Sequence, residues 1–153
     1  MSECVKVMTR TRPMNKKETD RGCKSCVTHD VKLNQITITH PNEKDNQKSF
    51  TFDAVFDHTS KQKDVYSRCA YNMVESVAEG YNATIFAYGQ TGCGKTHSMM
   101  GYEASEDEKG IIPRSFTHIF GIMGKRKFFF AALVNCFRSG YEIYDICVIH
   151  RDL

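Results

Sequence analysis

Residues 84–100, TIFAYGQTGCGKTHSMM, decide how this chain is read. Ile85-Phe86-Ala87-Tyr88 is a continuous apolar run of the kind that forms a buried strand. The next eight residues, Gly89, Gln90, Thr91, Gly92, Cys93, Gly94, Lys95 and Thr96, match G-x-x-x-x-G-K-[ST] at every fixed position. His97-Ser98-Met99-Met100 continue as a short helix that Gly101 can stop. Strand, glycine-rich turn and helix, in that order, are the context the motif requires.

Each fixed residue has a physical reason. Glycines at 89, 92 and 94 let the backbone turn sharply and approach a ligand closely. Successive N–H groups then point inward and cradle a phosphate chain. A helix starting at Lys95 adds unpaired donors and the positive end of a dipole. The Lys95 ammonium can reach β- and γ-phosphates, and the Thr96 hydroxyl can ligate Mg²⁺. The expected cofactors are thus a nucleotide and Mg²⁺, with the base left open. The bland alternative is a chance glycine turn between a strand and a helix.

Before this stretch, Ser60 is positioned to cap a helix from Lys61 to Gly80. Its apolar face is Val65, Tyr66, Cys69, Ala70, Met73, Val74, Val77 and Ala78, two rows spaced by four. Further back, residues 4–10, CVKVMTR, alternate as a strand and stop at Pro13. Residues 15–20 read as a charged, solvated loop. Residues 25–31 and 35–39 read as paired strands, 41–48 as a polar hairpin connection, 49–53 as a short strand and 54–56 as a turn. After the stretch, 103–110 (EASEDEKG) is an acidic surface loop. A helix follows around Pro113, with Ile112, Phe116, Ile119, Phe120 and Met123 as its buried stripe, ending near 123 at Gly121 and Gly124. Lys125-Arg126-Lys127 reads as a solvated turn, 128–137 as a buried strand, and Glu142-Ile143-Tyr144 as the start of another.

The composition sets outer bounds. A chain of 153 residues suits one domain, and 41% apolar content supports a packed core despite a mean hydropathy of −0.46. A net charge of +3 is too small to argue for nucleic acid. The apolar run 128–134 is far short of the ~20 residues a membrane span needs. Neither nucleic acid nor membrane is therefore an expected partner. Seven cysteines and no visible leader point to reduced thiols in the cytoplasm. Cys23-Lys24-Ser25-Cys26 is a lone C-x-x-C that cannot complete a four-ligand zinc site. No heptad run is present, so no oligomerisation element is expected here.

Taken together, several segments resemble the kinesin motor domain. VKVMTRTRPMN (5–15) is similar to that family's first strand and its R-x-R-P motif. SFTFDAVFD (49–57) is similar to its F-x-F-D-x-V-F segment. VYSRCAYNMVESVAEGYNATIFAYGQTGCGKTHSMMG (65–101) is close throughout to its helix, strand and phosphate loop. GIIPRSFTHIF (110–120) resembles the helix after its insertion loop, and EIY (142–144) a later marker. The wording stands nearest the kinesin-2 branch.

The resemblance implies more than the residues alone do. It implies an α/β fold: a P-loop NTPase with three layers and a mixed, largely parallel sheet, the organising strand near the centre. It implies ATP or ADP with Mg²⁺ as cofactors, and the microtubule as partner of the complete motor. It places the protein in the cytoplasm on the cytoskeleton, with the cilium as the kinesin-2 variant. Arg10, Arg12 and Pro13 match residues lining the adenine and ribose, and His97 one on the other side of the base. Without the family, Pro13 is a strand terminator, the arginines are surface charges, and His97 is a polar helix residue.

The chain reads as the N-terminal part of such a domain over 1–153, well matched to 123 and poorly over 124–153. DICVIHRDL stands where the family would continue N-E-x-I-R-D-L. The family's water-positioning and γ-phosphate-sensing loops, N-x-x-S-S-R-S-H and D-L-A-G-S-E, do not occur. No catalytic residue is assigned, and D-x-x-G at 107–110 is taken as coincidence. Three functions stay open: part of a microtubule-stimulated ATPase, a nucleotide-binding fragment without turnover, or an inactive product of truncation or a mis-joined gene model. A central parallel strand without its neighbours is expected to leave the isolated chain unstable or aggregation-prone.

Overall fold

The computed structural model describes residues 5–40, 42–102, 105–125 and 145–150. Strand β1 (Lys6–Arg10) runs from an exposed start to a fully buried end. Residues 15–20 are not a loop: α1 (Lys16–Asp20) is a short helix. Asn15 and Glu18 form a reciprocal capping box, Glu18 N donating to Asn15 Oδ1 at 2.9 Å and Asn15 N to Glu18 Oε2 at 2.7 Å.

Strands β2 (Val27–Asp30) and β3 (Gln35–His40) pair antiparallel as expected. The stretch expected to be a hairpin connection is mostly β4 (Glu43–Thr51), paired antiparallel with β3. Polar side chains hid it, because a strand in a solvated sheet needs few apolar positions. These three strands form one sheet, ordered β2-β3-β4. Residues 54–56, expected as a turn, are strand β5 (Ala54–Phe56), wholly buried and parallel to β1.

The expected long helix is present with a break: α2 (Gln62–Cys69) and α3 (Tyr71–Ala78) meet at Ala70, where φ is −115°. Lys61, not Ser60, occupies the N-cap. The Ser60 hydroxyl instead donates to Asp57 Oδ1 at 3.0 Å, beside the N–H and hydroxyl of Thr59. These bonds, the Thr59 hydroxyl first, hold the Asp57 carboxyl below its usual range. Strand β6 (Thr84–Gly89) and helix α4 (Lys95–Met99) bracket the glycine-rich turn. A 3₁₀ turn covers Glu106–Glu108. Helix α5 (Ile111–Lys125) runs through both Gly121 and Gly124 rather than ending near 123. Strand β7 (Asp145–His150) is the last described element. The basic turn beyond Lys125, the strand expected over 128–137 and the marker at 142–144 lie outside the described residues. No described helix is long and apolar enough to cross a membrane.

The second sheet is entirely parallel, ordered β5-β1-β7-β6. This corrects two expectations. Among the described residues β6 is an edge strand, not a central one. It also does not lack a neighbour, because β7 pairs with it along its whole length. Residues 145–150, DICVIH, supply that neighbour, and Ile and Val suit a parallel strand.

The core lies between this sheet and the helices. Met8, Ala54 and Phe56 pack with Val65, Tyr66, Cys69, Ala70 and Ile111. Cys69 Sγ sits 3.0 Å from Met8 Sδ, and burial pushes its thiol pKa up to about 12. Helix α5 is fixed by a polar clasp. Tyr66 Oη lies 2.8 Å from His118 Nδ1, His118 Nε2 lies 2.9 Å from Glu75 Oε1, and Tyr71 stacks on the same imidazole. Of the stripe expected on this helix, Ile112, Ile119 and Met123 are half-buried, while Phe116 and Phe120 are exposed and stack on each other; Ile111, outside that stripe, is buried. The 3.6-residue spacing holds, but the covered face is the one facing α2 and α3.

A candidate nucleotide cleft

Two parallel strands deliver the site. In register, Arg10 of β1 and Gly89 of β6 both stand beside His150 of β7. The chain therefore leaves the sheet at both places on the same, carboxyl-end edge. That edge is where open α/β sheets form their binding crevices. Between the two exits lies a cleft of about 460 Å³. Its walls include Arg10, Arg12 and Pro13 from one exit, and Gly92, Gly94 and His97 from the other. Two groups of residues far apart in the sequence, both expected to serve one ligand, thus face one space.

The glycine-rich turn has the conformation its residues permit. Gly92 and Gly94 have φ of +88° and +100°, which side chains with a Cβ rarely adopt. Gly94 is the N-cap of α4, and Ser98 N donates to its carbonyl at 3.0 Å. Lys95 does not point into solvent. Its Nζ donates to the carbonyls of Gly89 and Gln90, both at 2.7 Å, and lies 3.9 Å from the buried Cys93 Sγ. The ammonium thus closes the turn across its mouth. Gln90, Thr91 and Thr96 are exposed.

The opposite wall is held by side chains rather than by backbone geometry. Arg10 is 8% exposed. Its guanidinium donates to Gln62 Oε1 (2.7 Å), Ser98 Oγ (3.0 Å) and the Ser60 carbonyl (3.1 Å). Burial lowers its pKa, and Glu108 opposes that shift. Arg10 lines the cleft while its hydrogen bonds run inward. Arg12 makes a bidentate pair with Glu18, at 2.9 and 2.6 Å. That pair, more than any other contact, draws the Glu18 pKa down to about 2. The acid that caps α1 therefore also aims Arg12. His97 faces Tyr102 edge-on at 5.4 Å, and its Nε2 lies 3.4 Å from Glu108 Oε2.

Sequence reading missed several residues here. His58, Met14 and Tyr102 also line the cleft. Gln62 and Ser98 stand behind its wall. The pairing of Asn15 with Glu18 was readable as a capping box; Gln62, in the run Lys61-Gln62-Lys63-Asp64, carries no such signal. The acidic loop joins the same assembly. Gly101 bridges antiparallel to Lys109, and Gly110 lies so close to Met99 that a Cβ would sit 2.5 Å from the Met99 carbonyl oxygen. Arg114 donates to the carbonyls of Glu106, Asp107 and Lys109, which pins this loop onto α5. Among the described residues no three His, Cys, Asp or Glu side chains gather to hold a metal ion.

The sequence pattern of the kinesin motor domain matches residues 10–149. The kinesin-like protein KIF3C of Bos taurus is 46% identical over 121 residues, 78% of this chain, and the KIF3C proteins of Mus musculus and Pongo abelii match equally. The match spans 15% of the length of each of these relatives.

Proposed function

This chain belongs to the kinesin motor domain family, and on that footing we propose that it is the ATP-holding portion of a microtubule motor. The observation that carries the reading is the cleft, which brings 10–13 against 92–97 at the carboxyl end of a parallel sheet. The chain's own residues divide the work. The turn 89–94 offers backbone N–H groups to phosphate oxygens. Lys95, already within reach of the turn's mouth, exchanges its two carbonyl contacts for phosphate. Thr96 would hold the Mg²⁺ that accompanies ATP or ADP, and that ion would supply charge neutralisation on the phosphates. Arg10, Arg12 and Pro13 flank the base on one side and His97 on the other. In the complete protein, hydrolysis at this site is coupled to movement along microtubules. The motor works in the cytoplasm on the cytoskeleton, and in the cilium where it serves as a kinesin-2.

Titration of the wild-type chain and Lys95→Ala with Mg-ATP tests the assignment. Losing a charge-assisted contact to phosphate weakens binding by about tenfold or more. Equal affinity in the two proteins refutes the phosphate cradle.

A second reading has a specific observation behind it. The segments that would position water and sense the γ-phosphate do not occur in these 153 residues. Taken alone, the chain then binds nucleotide without turning it over. A turnover assay with added microtubules separates the readings, because stimulation of this chain would exclude the second. Reading the coding sequence past Leu153 for S-S-R-S-H and D-L-A-G-S-E tests the same point without protein.

A further inference from the structure

Gln62 does not line the cleft, yet it bonds to a residue of each wall. It is the first residue of α2 and is 3% exposed. Its Oε1 accepts from Arg10 Nη1 at 2.7 Å. Its Nε2 donates to the carbonyl of His97 at 2.6 Å and to that of Glu108 at 3.3 Å, and lies 3.4 Å from His97 Nδ1. One amide thereby joins the end of β1, the start of α2, the middle of α4 and the acidic loop. Arg10 and His97 are cleft-wall residues from its two sides. An amide is the side chain suited to this place, since Arg10 can only donate and the two carbonyls can only accept. Ser98, fully buried, gives Arg10 a second acceptor from the same turn of α4.

We infer that Gln62 is a positioning residue for base recognition: it fixes the separation of Arg10 and His97, and so the width of the slot that takes a flat heteroaromatic base. The inference rests on the nucleotide reading above and deepens it. The hydrogen bonds of Gln62 go to Arg10, His97 and Glu108 and not to the phosphate turn 89–94, so its influence is placed on the base side. A ligand that carries the triphosphate but lacks the base is blind to it.

The experiment compares Mg-ATP with Mg-tripolyphosphate, binding to the full chain being measured by calorimetry. Wild type is expected to bind ATP more tightly than tripolyphosphate. Gln62→Met keeps the length and removes every hydrogen bond. It should weaken ATP by about tenfold or more and leave tripolyphosphate within about twofold. Gln62→Glu keeps an acceptor for Arg10 but sets a carboxylate against two carbonyls. It should lose base-dependent affinity too, and its thermal melt together with that of Gln62→Met shows which variant is folded. If either folded variant keeps the wild-type ratio of the two affinities, or loses both ligands equally, Gln62 does not position the base and the inference fails. If both variants unfold, Gln62 is a residue of the fold and the inference likewise fails. If the wild type binds neither ligand, the nucleotide reading falls first and takes this one with it.

Discussion

The two sides of the cleft are built by opposite strategies. The phosphate side is eight consecutive residues whose shape comes from glycines with positive φ and from one lysine folded over two neighbouring carbonyls. The base side is assembled from Arg10, Gln62, His97, Ser98 and Glu108, spread over nearly a hundred positions and joined by buried and part-buried side-chain hydrogen bonds. The first takes its hydrogen bonds, from Lys95 to the carbonyls of Gly89 and Gln90, within the segment itself. The second exists only when β1, α2, α4 and the acidic loop are all in place. One side is therefore local in energy, while the other is welded to the stability of the whole fold.

Stability measurements probe that contrast most strongly. Arg10→Met leaves Gln62 Oε1, Ser98 Oγ and the Ser60 carbonyl without their donor in a buried setting. The expected loss is about 2–4 kcal/mol in urea unfolding. Lys95→Met removes two contacts at a partly open site and should cost about 1 kcal/mol or less. If Lys95→Met proves the more damaging, the division into a local and a global side is wrong.

The next effect is smaller in stability and larger in binding. Gly94→Val forces a β-branched residue to φ near +100°, a strain of about 1–3 kcal/mol. The strain stays within the turn, so Mg-ATP affinity should fall by about tenfold while the unfolding slope with urea stays unchanged. A change in that slope would mean that the turn is coupled to the rest of the chain more widely than its hydrogen bonds indicate.

The smallest expected effect concerns the pairing of Arg12 with Glu18. The Glu18 pKa is depressed in the folded chain, so between about 4.5 and about 2 the unfolded chain binds more protons. Whatever this pair contributes is present above that window and is lost as pH falls through it. Carboxyl NMR of Glu18 should show ionisation persisting to about pH 2. A titration near the ordinary glutamate value would mean that Arg12 is not held on the cleft.

The same contrast explains what could be read from the chain directly. The phosphate turn was legible because its information is contiguous: glycine spacing, a lysine and a hydroxyl, with a strand before and a helix after. The capping box of Asn15 and Glu18 is equally local and was available to a closer reading. Gln62 was not, because a glutamine between two lysines looks like solvated surface until the fold carries it under Arg10. Phe116 and Phe120 failed for a related reason. Periodicity marks a face as apolar, but only the neighbouring helices decide whether it is covered. Residues 43–48 and 54–56 were misread because short or polar strands borrow their stability from the partner strand and show little pattern of their own.

The insertion of β7 between β1 and β6 has a consequence for the order of events in the cell. Neither exit of the cleft bonds directly to the other; each is aligned against His150. A nascent chain that has passed the phosphate turn still has more than fifty residues to translate before that spacer leaves the ribosome. Until then β6, with the exposed rings of Phe86 and Tyr88, has no described partner on either edge. The glycine turn is thus made early but aimed late, and the interval is the one in which a chaperone would find the most to hold. Protease treatment of stalled ribosome complexes would reveal this as a sharp gain in resistance once residue 150 is free.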